Sequence, residues 1–144
     1  MKKIISVTLA TLFILPLLAH ANCPTIDKIY CSRTFGGLSC GADYPGWVGG
    51  GLTKRPDTTV KKFWMVTWFN TSIGKGSVRC LYWGDKGGLI VMHEGDFGQI
   101  SVPTKANDHR LWKSSFQVIN NVHYNTLACA AGLNACEFKY LVKY

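Results

Sequence analysis

The chain has 144 residues, 47% of them hydrophobic and 17% charged, with 16 Lys+Arg against 8 Asp+Glu for a net charge of +8. Plentiful aromatic residues and few charges exclude collagen-like, coiled-coil and intrinsically disordered classes. Length alone excludes the eight-stranded α/β barrel and leaves little room for a second domain.

Residues 1–21 read as a cleaved secretory signal peptide. Lys2 and Lys3 form a positive start, Ile4 to Leu18 are apolar, and Ala19-His20-Ala21 supplies small residues where a signal peptidase reads. The apolar run falls short of the ~20 residues that span a bilayer. Lipoprotein acylation is not expected, because Asn22 stands where a small residue would have to precede Cys23. The expected product is residues 22–144, a single β-rich domain with net charge +6. It contains no further apolar stretch of membrane-spanning length, and we expect it to be soluble, monomeric, and secreted or periplasmic.

Short apolar runs of strand length alternate with glycine-rich punctuation along this product. Cys23 to Tyr30 alternates weakly, as an edge strand does. From Gly36 to Gly51 there are seven glycines and a proline, which predicts loop broken only by Tyr44 and Trp47-Val48. Phe63 to Phe69 is the strongest strand signal. Strict alternation puts Phe63, Met65, Thr67 and Phe69 on one face and Trp64, Val66 and Trp68 on the other. Both faces are apolar, so this strand is either central and covered twice, or has one face that meets a partner. Val78 to Trp83 and Leu89 to Met92 bracket Gly84-Asp85-Lys86-Gly87-Gly88 as a hairpin. Gln99 to Val102 and Trp112 to Ile119 are further strands. At most one short C-terminal helical turn is expected, at Thr126 to Ala131, with Asn125 as its candidate cap and Gly132 ending it. The predicted fold class is all-β, a small disulfide-stapled sandwich or barrel.

All six cysteines fall after the signal, and an even number in an exported chain reads as three disulfides. Their sequence spacings of 8, 9, 40, 49 and 7 lack the close pairs of a zinc site, so no metal is expected. Six cysteines admit fifteen pairings. Cys31 and Cys40 flank the reversal at Gly36-Gly37, and Cys129 and Cys136 flank Gly132. Pairing each locally leaves Cys23 for Cys80.

The motifs of enzyme chemistry are weak. Gly37-Leu38-Ser39-Cys40-Gly41 matches a nucleophile elbow, but Ala42-Asp43-Tyr44-Pro45-Gly46 cannot propagate the helix that such an elbow requires. His93-Glu94 and Asp108-His109 are sequence neighbours, which point to opposite faces of an extended strand and cannot orient one another. With His123 they read as surface residues. No catalytic residue and no cofactor is expected.

Aromatic residues carry the binding signal. Trp112, and whichever of Trp64 and Trp68 faces inward, are expected in the core. Tyr44 and Trp47 sit in the glycine-rich stretch, where burial is hard to arrange. With Lys54, Arg55, Lys61 and Lys62 nearby, they are the candidate ligand-binding residues. The same basic run also reads as a solvated loop tip. The expected partner is an acidic glycan, an anionic lipid headgroup or an acidic protein surface.

Cys23-Pro24, Cys80-Leu81-Tyr82, Trp112, and the ending Cys129 to Cys136-Glu137-Phe138 resemble a family of small secreted Gram-negative bacterial proteins known as a domain of unknown function. Against that pattern Cys31 and Cys40 are additions, which independently favours pairing them with each other. The resemblance implies export and no particular reaction. Three functions follow as expectations: a non-enzymatic binding module, a small secreted hydrolase assembled from distant residues, or a secreted enzyme inhibitor. The binding module is preferred, as an exported effector directed at a host or environmental macromolecule.

Overall fold

The run from Val60 to Phe69 organises the molecule: it is the longest described strand and its backbone is paired at both edges. A computed structural model describes residues 20–42, 46–51, 57–69, 77–94, 100–119 and 122–141. In it the described residues form eleven strands: β1 (His20–Ala21), β2 (Ile29–Thr34), β3 (Gly37–Ala42), β4 (Trp47–Gly51), β5 (Val60–Phe69), β6 (Ser77–Gly84), β7 (Leu89–Glu94), β8 (Ile100–Pro103), β9 (Lys113–Ile119), β10 (Val122–Cys129) and β11 (Phe138–Leu141). The fold is all-β and sandwich-like. A large antiparallel sheet has the order β2-β3-β4-β7-β6-β5-β10-β9, with β5 interior between β6 and β10, and a small sheet has the order β1-β11-β8.

One face of the large sheet carries the core. Register puts Trp47, Met92, Cys80, Val66 and Cys129 on the same side, and all are buried. Against them pack Phe138 of the small sheet, whose ring meets Trp47 edge-on at 6.0 Å, together with the buried Trp112 and Cys136. The segment after Ala21 crosses the same face. It forms a single 3-10 turn over Ile26–Lys28 before entering β2 at the sheet edge, so only the end of the expected first strand is extended. Two anchors hold it. Cys23 is bonded to Cys80, and the Tyr82 hydroxyl donates to the Pro24 carbonyl at 2.6 Å. Burial pushes the Tyr82 phenol above its ordinary pKa, which keeps it a donor at any physiological pH.

The other disulfides join Cys31 to Cys40 across the β2–β3 hairpin and Cys129 to Cys136 across the turn that follows β10. Three bridges mark a chain that folds in an oxidising compartment. Among the described residues no helix is long and apolar enough to cross a membrane. The expected leader lies outside the described residues, apart from His20 and Ala21, which pair with Lys139 and Phe138.

Three sequence expectations are corrected. The glycine-rich stretch is strand, not loop, over Gly37–Ala42 and Trp47–Gly51. Its glycines serve close packing. A Cβ on Gly49 would lie 2.1 Å from the Val91 carbonyl, and one on Gly41 would lie 2.7 Å from the Tyr30 hydroxyl. The expected helical turn at Thr126 to Ala131 is instead the end of β10, whose Thr126 to Cys129 pair residue by residue with Phe69 to Val66 of β5. Ladder bonds to two neighbours outweigh the modest helical preference of a short Leu-Ala run. Finally, the alternation of β5 is broken. Its pairing with β6 slips between Val60 and Lys62 and again between Phe63 and Met65. The second slip leaves Trp64 as an extra residue, so Phe63, opposite Tyr82, shares the core face with Val66, opposite Cys80.

Candidate functional site

The opposite, outer face of the large sheet can be read row by row from the register. One row crosses all eight strands: Lys113, Ala128, Thr67, Arg79, His93, Val48, Gly41 and Tyr30. The next row toward the β6–β7 turn holds Met65, Leu81 and Val91. Beyond it lie Lys62, Trp83 and Leu89. Tyr30 and Val48 are exposed, Arg79 and His93 half-buried, and Leu81 and Phe69 buried. Among the described side chains of this face none is acidic, and Lys62, Arg79 and Lys113 give it positive charge.

The bulge sets the most prominent feature. As the extra residue of β5, Trp64 turns its indole onto Trp83 of β6, with ring centroids 5.1 Å apart at an interplanar angle of 38°. The two rings are 37% and 41% exposed, which leaves a broad apolar surface open to a ligand. Lys62 is directly opposite Trp83, and exposed Lys61 is next to it in the chain. Farther along the face the Arg79 guanidinium stands 4.5 Å over the Phe69 ring, an attraction between cation and ring quadrupole that holds the arginine flat on the sheet. Beneath it the Thr67 and Thr126 hydroxyls are buried without a hydrogen-bond partner.

The turn beside the tryptophan pair is braced electrostatically. Asp85 accepts from the Thr59 backbone N–H at 2.9 Å, and this bond holds its carboxyl below the usual range. Lys86 pairs with Asp57.

The residues expected to bind ligand do not all meet. Trp47 is corrected: it is a strand residue, 1% exposed, and its ring lies in the core against Phe138. Burial is possible there because Gly49 lets β4 approach β7 closely, which a flexible loop would not allow. Tyr44, Lys54 and Arg55 lie outside the described residues. The strand ends that flank Tyr44, at Ala42 and Trp47, sit at the opposite end of the sheet from Lys61 and Lys62. Lys61 and Lys62 are exposed beside the tryptophan pair. That pair itself escaped the sequence reading, since strict alternation cannot place Trp64 and Trp83 together; two apolar faces on one strand were the available signal.

Two of the sequence motifs of enzyme chemistry can be placed. Ser39 lies on an extended strand beside the disulfide-bonded Cys40. The Asp108 carboxylate is taken by the Arg110 guanidinium and backbone N–H, which hold its pKa below the usual range. Among the described residues no group of three His, Cys, Asp or Glu could hold a metal ion. No protein-family model, curated protein or solved structure matches this chain.

Proposed function

We propose that this chain is an exported, monomeric, non-enzymatic binding module that engages an anionic macromolecule through the outer face of its large sheet. The observation that carries the reading is the exposed Trp64–Trp83 pair with Lys62 beside it, on a face whose described charged side chains are all positive. Cationic groups raise the encounter rate with a polyanion, and the rings supply short-range grip once water is displaced. Steering by Lys54 and Arg55, the cleaved leader over residues 1–21 and the likeness to an exported Gram-negative family belong to the same proposal. The three disulfides and the charge of +6 after the leader support export and an acidic partner.

The test is retention on immobilised heparin, used as a generic polyanion, across a salt gradient. The protein should bind at low salt and elute earlier as salt rises, because exposed charges are screened beyond ~8 Å at physiological ionic strength. Trp83→Ala should weaken binding about tenfold, in the range of a desolvated cation–ring or stacking contact, with the circular dichroism spectrum unchanged. No retention at low salt, or equal retention of Trp83→Ala, overturns the reading.

A further inference from the structure

The end of the outer face that carries Trp64 and Trp83 is also the end at which the β2–β3 hairpin turns. Register fixes this, because Ser32, Ser39, Gly50, Val91, Leu81 and Met65 form one row, and Thr34, Gly37, Leu89, Trp83 and Lys62 all lie on its far side. The hairpin closes through Phe35 and Gly36. Phe35 is 113% exposed and stands clear of the body. The left-handed backbone of this reversal falls on Gly37, at φ +128°, and the turn position before Gly36 accepts most residue types, so local conformation gives no reason for a phenylalanine. The hairpin that holds it is stiff. Cys31 and Cys40 bridge its strands, and the Thr34 hydroxyl donates to the Gly37 carbonyl at 3.0 Å. The Phe35 turn is about three strand spacings, ~14 Å, from the β6–β7 turn beside Trp83. Exposed Lys61 and Lys62 flank the tryptophans.

We propose that this end of the sheet seats on an anionic lipid surface, with Phe35 inserted at the acyl boundary and Trp64 and Trp83 at headgroup level. The proposal rests on the anionic-ligand reading above and names the class of partner. A glycan stacks on a ring that is backed by its neighbours, as Trp64 and Trp83 back each other. Phe35 has no such backing, and the acyl boundary of a bilayer closes around such a side chain and removes its surface from water. Indole rings favour the bilayer interface, and Lys and Arg are drawn to anionic headgroups. One apolar anchor with a basic patch gives reversible, interfacial attachment that needs no spanning segment.

The test uses the exported, disulfide-bonded protein with its N-terminus verified, since a retained apolar leader would itself partition into lipid. Co-sedimentation is measured with vesicles of phosphatidylglycerol and phosphatidylcholine, with vesicles of phosphatidylcholine alone, and in parallel with retention on heparin. The protein should bind the anionic vesicles and not the neutral ones. Phe35→Ser should bind the anionic vesicles about tenfold more weakly, the loss expected from one apolar side chain, at an unchanged melting temperature. Phe35→Trp should retain binding, and heparin retention should be the same in all three proteins. Heparin retention without vesicle binding overturns the lipid proposal while leaving the anionic-ligand reading in place. Loss of both overturns both. Equal vesicle binding by Phe35→Ser overturns insertion at the hairpin tip.

Discussion

Removing the disulfides one at a time separates loop length from burial as the source of their effect. Cys23–Cys80 and Cys129–Cys136 both lie in the core, with every cysteine at most 2% exposed, but their sequence separations are 57 and 7. In the chain-entropy model a loop of that longer length contributes ~4 kcal/mol and one of the shorter length ~2.5 kcal/mol. Replacing each pair by alanine leaves similar voids, so the cavity contributions largely cancel in the comparison. The Cys23/Cys80 double variant should therefore lose about 1.5 kcal/mol more than the Cys129/Cys136 variant. Loss of the long bridge also loosens the segment that positions Pro24 for the Tyr82 hydroxyl, which adds to the difference in the same direction. The assay is urea unfolding of the three double variants and the parent, with m fitted for each because a less constrained unfolded chain exposes more surface. Cys31→Ala with Cys40→Ala should resemble the short core loop, its separation being 9. If the Cys129/Cys136 variant proves as unstable as the Cys23/Cys80 variant, loop closure is not what these bridges contribute.

Two further perturbations probe the outer face and its turn. Thr67→Val replaces a buried hydroxyl that has no partner, and should raise stability by about 1 kcal/mol in urea unfolding; a loss of that size would mean the hydroxyl is bonded. Asp85 is held below the usual carboxylate pKa by the Thr59 N–H, so its contribution is present above the unfolded value and lost as pH falls through the folded one. Thermal melts between neutral pH and about pH 3 should therefore fall less steeply for Asp85→Asn than for the parent, since Asp titrates near ~3.9 when unfolded; parallel slopes would refute the assignment.

The fold class was legible because it depends on signals that are local in the chain. Apolar runs of strand length, a glycine-rich hairpin at Gly84 to Gly88 and an even set of cysteines each need only a few neighbouring residues to be read. What failed was the meaning of glycine between Gly36 and Gly51. In isolation glycine signals a turn, and only the partner strand reveals that Gly49 is small because the Val91 carbonyl occupies the place of its Cβ. The burial of Trp47 follows from that same close approach, which is why it was misread together with its glycines. Asn125 to Ala131 was misread for the related reason that strand pairing on both sides of β10 is invisible from the segment itself.

The bulge at Trp64 shows how the core and the candidate site are tied together. With an unbroken period of two, Phe63 and Val66 would face opposite sides of the sheet, and one of them would leave the core. Inserting one residue brings both inward, where Phe63 meets Tyr82 edge-on at 5.7 Å and Val66 is fully buried. The inserted residue then has to face outward, and in this sequence it is a tryptophan. If packing alone had governed the position, a polar residue would serve the bulge as well and would not expose an indole to water. A second indole at Trp83 completes a pair, on a face that already carries lysine and arginine and no described acid. The outward Trp64 is thus a geometric consequence of the core, whereas its identity and its pairing with Trp83 are not. The pair contributes to the sheet as cross-strand aromatic pairs do, but that contribution does not call for lysine and arginine around it, and the combination is the physical reason to read the face as a binding surface.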